Sequence, residues 1–409
     1  MKAVLLAEKA DAYLRELCLH IPGRSVGSKG NQAATDFFAN AVAPFGFETE
    51  SPMFECIEWA SDGVSLEAGS ASFEAFASPY SLGCRISAPL VVVSTVGELE
   101  TAEVAGRIIL LRGDIAKEQL MPKNFPFYNP DSHKRIIQLL EAKKPSAIIA
   151  ATSRDPEMVG ALYPFPLIED GDFDIPSVYM TEEEGVRLAA CSGGETSLES
   201  KASRIPARAC NVIASKGIAS KGSNLSRRVV LFAHIDAKHG TPGALDNASG
   251  VVVLLLLARL LENYSGTLGV EIVALNGEDY YSSPGEQQYL AINAGRFAEI
   301  ALGVNLDGVG YRLGDTAYSM YDCPPAIADT IHALFSKREG MVEGQPWYQG
   351  DHGLFLMNQT PALALTSERL AELLAEVIHT PQDSIDMVNT TKLVEVAVAL
   401  RDLVMLLDR

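Results

Sequence analysis

Apolar residues near helical spacing at Leu6, Tyr13, Leu14 and Leu17 predict an amphipathic helix over 6–18. A Gly/Ser-rich loop, GRSVGSKG (23–30), precedes a second helix from about Asn31 to Ala43, which ends before Gly46. From Phe47 to Trp59 the pattern alternates weakly and predicts one or two strands. Between Ala60 and Arg204 short strand-like runs dominate: Phe73–Ala77, Leu90–Ser94, Ile108–Arg112, Ala147–Thr152 and Ile175–Tyr179. Two helices interrupt them, near His133–Ala142 and Thr181–Ala190, and Pro- and Gly-rich stretches (NFPFYNPD, YPFPLIEDGDFDIP) divide the region. This rhythm predicts a separate β-rich insert.

From Arg208 strands and helices alternate. Predicted strands are Asn211–Ser215, Val229–Ala233, Val270–Leu275, Ala301–Asn305, Thr316–Tyr321 and Ala362–Thr366. Predicted helices are Ala248–Asn263, Pro284–Phe297, Pro325–Lys337, Asp351–Asn358 and Thr390–Leu407, the last capped by Asn389 or Thr390. Such alternation implies a layered α/β fold with a parallel or mixed sheet.

Composition narrows the partners. The 409 residues hold 33 Lys plus Arg and 52 Asp plus Glu, a formal charge of −19. That balance disfavours nucleic acid and anionic membrane, both polyanions, and leaves cations as natural guests. The longest apolar run, Val251 to Ala258, stops at Arg259, far short of the roughly 20 residues of a spanning helix. The first residues carry charges at Glu8, Lys9, Asp11, Arg15 and Glu16, unlike a signal peptide, so a cytoplasmic protein is expected. The six cysteines, Cys18, Cys56, Cys84, Cys191, Cys210 and Cys323, are scattered and read as free thiols.

In open α/β sheets function gathers at the carboxyl ends of strands. His234-Ile235-Asp236 follows the second strand of this half, with Asp236 on the same side of the extended chain as His234. Asp246 stands in TPGALDNASG just before an apolar helix, where an N-cap is the ordinary role. Asn276-Gly277-Glu278-Asp279 places two carboxylates side by side after a strand, an arrangement that a cation explains if it is buried. Asp307 precedes Gly308, and His379-Thr380-Pro381-Gln382-Asp383 lies in a loop before the last helix, with Asp383 as a turn cap. Each alone suits an ordinary turn. Together they offer two imidazoles and several carboxylates, a mixed N/O donor set suited to zinc, with cobalt or manganese as alternatives. The number suffices for a two-metal site with a shared carboxylate.

The series HID, TPGALDNASG, GED, LDG and HTPQDS resembles the M28 family of zinc-dependent exopeptidases, aminopeptidases and glutamate carboxypeptidase relatives. The core resemblance covers about 205–400, and 1–58 looks like that family's N-terminal helices and first strand. VAGRIILLRG (104–113), AIIAA and IPSVYMTEEEGVRL resemble a protease-associated (PA) domain. The implied fold is α/β: a mixed-sheet exopeptidase core sandwiched by helices, with a smaller β-rich PA-like insert. The implied division is 1–59 with 205–409 for the catalytic domain and 60–204 for the insert.

The resemblance further implies that Asp246 bridges two zinc ions, His234 and Asp307 completing one site and His379 and Asp279 the other. Glu278 is then the general base toward a metal-bridging water, Asp236 orients His234, and the Asp246–Asn247 peptide is cis. Two departures stand out. Many members have Glu where Asp279 stands, and some have an oxyanion-stabilising Tyr where Ile378 stands; Tyr311 and Tyr348 are the substitutes weighed, each against a packing role. Gly350-Asp351-His352 stands where the family often has Ser-Asp-His, so Asp351 and His352 are candidate substrate-pocket residues. The implied activity is a di-zinc aminopeptidase acting on peptides, with homo-oligomers known among relatives. Alternatives are a carboxypeptidase or dipeptidase, for which only Lys238 and Arg312 offer cations near the motifs, a single-zinc glutaminyl cyclase, and a non-catalytic binding protein.

Overall fold

The computed structural model describes residues 3–21, 23–155, 160–217, 227–348 and 350–408. The chain forms two compact units, Met1–Cys56 with Arg208–Arg409, and Ile57–Ala207. It leaves the larger unit within the strand Met53–Ala68 and returns within the strand Glu195–Cys210.

The larger unit holds an eight-stranded mixed sheet. Its centre is four parallel strands in the order Gly269–Leu275, Arg228–His234, Ile300–Leu306 and Ala362–Ser367. Val212–Lys216 and then Glu48–Glu50 extend one side antiparallel, and Thr316–Tyr321 and then Met341–Glu343 close the other. The first three central strands are buried along their whole length. This fits parallel strands covered on both faces, which read as continuous apolar runs.

One face is covered by the helix Ser249–Leu260, which is apolar all round and buried from Ser249 to Ala258. A helix of that kind must be enclosed. The helices Ala3–Arg15, Lys29–Val42 and Thr390–Leu407 pack over it, and their Leu14, Phe38, Leu393 and Leu400 join one core with Leu254 and Leu231. Gly250 marks the closest approach of this helix to the sheet: a Cβ there would lie 2.7 Å from the Leu306 carbonyl and 2.9 Å from Ala233 Cβ. On the other face Phe355 lies flat over Gly303, 4.8 Å from the Phe232 ring. Asn389 caps the last helix, its side chain accepting from the Thr391 N–H.

The smaller unit has its own eight-stranded mixed sheet. Ile108–Leu111, Ala147–Thr152 and Ser177–Thr181 run parallel beside Cys84–Val93. Alternate residues of the buried runs serve opposite faces. Ile109, Leu111, Ile148 and Ala150 pack with Ile136 and Leu140 of the helix Asp131–Lys143, whereas Ile108, Leu110 and Ile149 pack with Leu188 of the helix Glu182–Ala189. Glu195–Cys210, not expected as a strand, pairs with Cys84–Val93 although it is mostly polar. None of the six cysteines forms a disulfide. Among the described residues no helix is long and apolar enough to cross a membrane.

Candidate metal centre

The parallel register brings the chemistry to one end of the sheet. His234 is the last residue of its strand and pairs with Leu275, so Asn276–Asp279 turns directly beside it. Phe232 pairs with Asn305, which puts Asp307 level with His234 on the other side. The loop Ala244–Ala248 supplies Asp246, and the segment after Val377 supplies His379, held at a left-handed φ of 63°. Such a backbone is uncommon for a residue with a side chain.

Asp246 is the centre. Its Oδ1 lies 3.0 Å from His234 Nε2 and its Oδ2 lies 3.1 Å from His379 Nε2. Asp307 Oδ1 is 3.8 Å from His234 Nε2, and Asp279 Oδ1 is 3.1 Å from His379 Nε2. Three groups result with ligand atoms mutually within 4.8 Å: His234, Asp246 and Asp307; Asp246, Asp279 and His379; and His234, Glu278 and Asp279. Asp246 therefore does not cap the following helix. It is only 7 % exposed, the backbone at Asp246 and Asn247 is non-helical, and their peptide is cis.

The charges explain one another. Burial works against a charge on His234, but Asp236, Asp246 and Asp307 raise its pKa well above the ordinary value. Burial likewise opposes His379, and Asp279 and Asp246 lift it to about 10. Burial would raise Asp246, yet the two histidines hold it far below the usual carboxylate range. Glu278 is pushed well up, first by burial and then by Asp279, Asp307 and Asp246, against the pull of His234. The donor set also fits a cation directly. The Nδ1 of His234 and the Oδ2 of Asp279 are buried without a hydrogen-bond partner among the described residues, and the Nε2 of His234, though 3.0 Å from Asp246, makes no well-aligned hydrogen bond. Buried polar atoms of this kind are normally satisfied, and imidazole and carboxylate are zinc donors.

Around this cluster other groups fix the backbone. The Asp236 carboxylate accepts the N–H of Gly277 at 2.8 Å and of Asp279 at 3.1 Å. Its distance to His234 Nδ1 is 3.6 Å, beyond a hydrogen bond. Asp236 thus shapes the Glu278–Asp279 turn more than it orients the ring. Asp383 is not a turn cap: its carboxylate accepts the N–H groups of Leu245 and Asp246. The Asn247 side chain donates to the Leu306 carbonyl at 2.7 Å and accepts from the Gly250 N–H, tying the Asp246 loop to the strand end beside Asp307. No periodic pattern marks Asp383 or Asn247; only their fixed spacing from His379 and Asp246 offered a signal.

Residues 211–404 match the sequence profile of peptidase family M28. That match includes every residue of the cluster, from His234 to His379. Among curated proteins it is 26 % identical over 295 residues to the probable lipoprotein aminopeptidase LpqL of Mycobacterium tuberculosis, covering 69 % of this chain and 54 % of that relative's length. The fold is shared with the aminopeptidase from Aneurinibacillus sp. strain AM-1, at a TM-score of 0.75 and 24 % identity over 97 % of this chain and 93 % of the other. It is shared equally with BSAP, a zinc aminopeptidase from Bacillus subtilis, at a TM-score of 0.74 and 20 % identity, covering 98 % and 94 % of the two chains.

Within the matched region the remaining candidates sit as follows. Tyr311 is 3 % exposed and donates to Glu372 at 2.9 Å, packed with Leu245, Val377 and Ile378. Tyr348 is 75 % exposed, its ring edge-on to Tyr321 at 5.9 Å. His352 is fully buried, its Nε2 2.8 Å from the Trp347 carbonyl and its ring beside Tyr321 and Trp347. Asp351 is buried, its Oδ2 without a hydrogen-bond partner among the described residues, and burial, then Glu286 and Glu278, push its carboxyl well up.

Proposed function

We propose that this protein is a zinc-dependent aminopeptidase holding two metal ions at the Asp246 cluster. The observation that carries the reading is the single Asp246 carboxylate with one oxygen toward His234 and the other toward His379. His234 and Asp307 would complete one site, and His379 and Asp279 the other. When bound, zinc polarises a scissile carbonyl and lowers the pKa of an attacking water. Glu278 takes the proton from that water and delivers it to the leaving amine. Its carboxylate lies within 4.8 Å of the His234 and Asp279 ligand atoms, within reach of a water held there. Asp236 and Asp383 keep the ligand-bearing backbone in place. A substrate's free N-terminal ammonium meets a carboxylate-rich site, in keeping with the formal charge of −19. The aminopeptidase names of the relatives point the same way.

One observation favours a second reading. Lys238 Nζ lies 3.5 Å from the Asp279 carbonyl, so a cation stands beside the second site and could receive a substrate carboxylate, as a dipeptidase or carboxypeptidase requires. Arg312 is exposed and adds no second one.

The test is a mass-spectrometric time course on a mixed peptide pool with zinc-loaded wild type and Glu278→Gln. Stepwise loss from N-termini by the wild type, slowed about 10²–10⁴-fold in the variant, is the expected result. Loss from C-termini, or cleavage of dipeptides alone, supports the second reading. Cyclisation of N-terminal glutamine without hydrolysis contradicts both.

A further inference from the structure

Two arginines of the larger unit are buried among the described residues, Arg228 at 1 % exposure and Arg24 at 2 %. Arg228 begins its strand and is neutralised. Its Nη1 lies 2.6 Å from Glu299, its Nε 3.5 Å from Glu271, and its Nη2 donates to Asn293 at 2.7 Å. Among the described residues no carboxylate touches Arg24; the charge it faces without contact is that of Asp383. All the oxygen contacts of Arg24 are main-chain carbonyls: Leu17 at 2.8 Å, Ile235 at 3.0 Å, Pro242 at 3.0 Å and Gly243 at 2.7 Å. It also donates to the Cys18 sulfur at 4.0 Å. A buried cation held by carbonyls rather than by a contacting carboxylate is costly, so what those carbonyls belong to matters.

Ile235 stands between His234 and Asp236. Pro242 and Gly243 begin the turn that presents Asp246. The guanidinium, a rigid planar fork of donors, therefore spans the two segments whose separation sets the His234–Asp246 distance. Gly243 leaves room for it. With φ +59°, a Cβ there would lie 2.8 Å from Arg24 Nη2. The Arg24 carbonyl in turn accepts from Asn31 Nδ2 at 3.0 Å. Asn31 and Asn276 exchange reciprocal amide hydrogen bonds of 2.9 and 3.0 Å, and Asn276 opens the turn that carries Glu278 and Asp279. Three ligand-bearing segments thus meet one N-terminal stretch. Residues 24 and 31 lie outside the 211–404 match.

We propose that Arg24 is a positioning residue of the metal centre, and that the stretch from Arg24 to Asn31 braces the site from behind rather than merely covering the core. The proposal rests on the metal-centre reading above.

The test compares Arg24→Met and Arg24→Lys with Arg228→Met, a buried arginine at the opposite end of the same strand as His234. Three quantities are read: the thermal midpoint without metal, zinc affinity by chelator competition, and the visible spectrum of the cobalt-substituted protein. Arg24→Met is expected to weaken zinc binding by about 10–100-fold, the usual range for groups behind metal ligands, and to alter the cobalt spectrum. Arg228→Met is expected to lower the midpoint while leaving affinity and spectrum at wild-type values. Arg24→Lys keeps the charge but not the fork, and should fall between wild type and Arg24→Met. It carries the test if Arg24→Met fails to fold. Wild-type zinc affinity and spectrum in a folded Arg24 variant overturn the proposal, as does an equal loss in Arg228→Met. A wild type that binds no zinc overturns the metal-centre reading itself, which separates the two failures.

Discussion

Asp383 Oδ2 accepts the main-chain N–H of Asp246 at 3.1 Å, so one carboxylate fixes the backbone of another that faces two histidines. Asp383 is fully buried, and burial, then the charge of Asp246, raise its pKa to about 7 against the two N–H donors and Arg24. Replacing it with Ala strands two buried N–H groups, at a cost of about 1–3 kcal/mol each. Asp383→Ala should lose stability in denaturant titrations and bind zinc about 10–100-fold more weakly. Asp383→Asn, which keeps one acceptor oxygen, should fall between. Unchanged zinc affinity in a folded Asp383→Ala would show that the clamp is idle.

Asp236 invites a finer distinction. Were its role only to orient His234, Asp236→Asn would act chiefly through weaker zinc binding, a loss that saturating zinc relieves. The structure instead has Asp236 accepting from both Gly277 and Asp279. Asn offers one oxygen for those two donors. We predict that Asp236→Asn lowers kcat about 10–100-fold by displacing the turn that carries Glu278, with a smaller effect on KM. Steady-state kinetics separates the two roles.

Metal binding should be coupled to protons. In the metal-free protein His234 is raised well above its usual value and His379 to about 10, each held protonated by neighbouring carboxylates. Ligation needs the neutral rings. Zinc affinity should therefore rise as pH rises through neutrality toward about 10, with protons released on binding. Calorimetry in buffers of different ionisation enthalpy reads this directly; a buffer-independent heat would contradict it.

The sheet beneath the site is tightly packed. A Cβ on Gly303 would fall 2.3 Å from the Phe355 ring. Gly303→Ala should destabilise the fold by about 1–3 kcal/mol through overpacking, read as a lowered denaturation midpoint. Phe355→Ala should cost about 3–5 kcal/mol.

Much of this was legible from the chain. The parallel strands announce themselves as short apolar runs, and Thr316–Tyr321 and Thr390–Leu407 have the predicted bounds. The residues singled out at strand ends and in loops, His234, Asp246, Glu278, Asp279, Asp307 and His379, do converge in space. Less legible was whatever depends on partners distant in sequence. Glu195–Cys210 is mostly polar and is drawn into the sheet by pairing with Cys84–Val93. Met341–Glu343 is too short to carry a period. Asp246 and Asp383 each suit a local cap, and only the folded arrangement of Leu245, Asp246 and the histidines shows what their carboxylates face. Arg24 is 211 residues from Ile235, whose carbonyl it holds.

The most direct test of the shared-carboxylate site is to titrate metal-stripped protein with zinc while following bound zinc and peptide hydrolysis together. Two ions per chain are predicted, with full hydrolysis reached only as the second site fills. Saturation at one ion with full activity, or no zinc bound at all, would contradict the account.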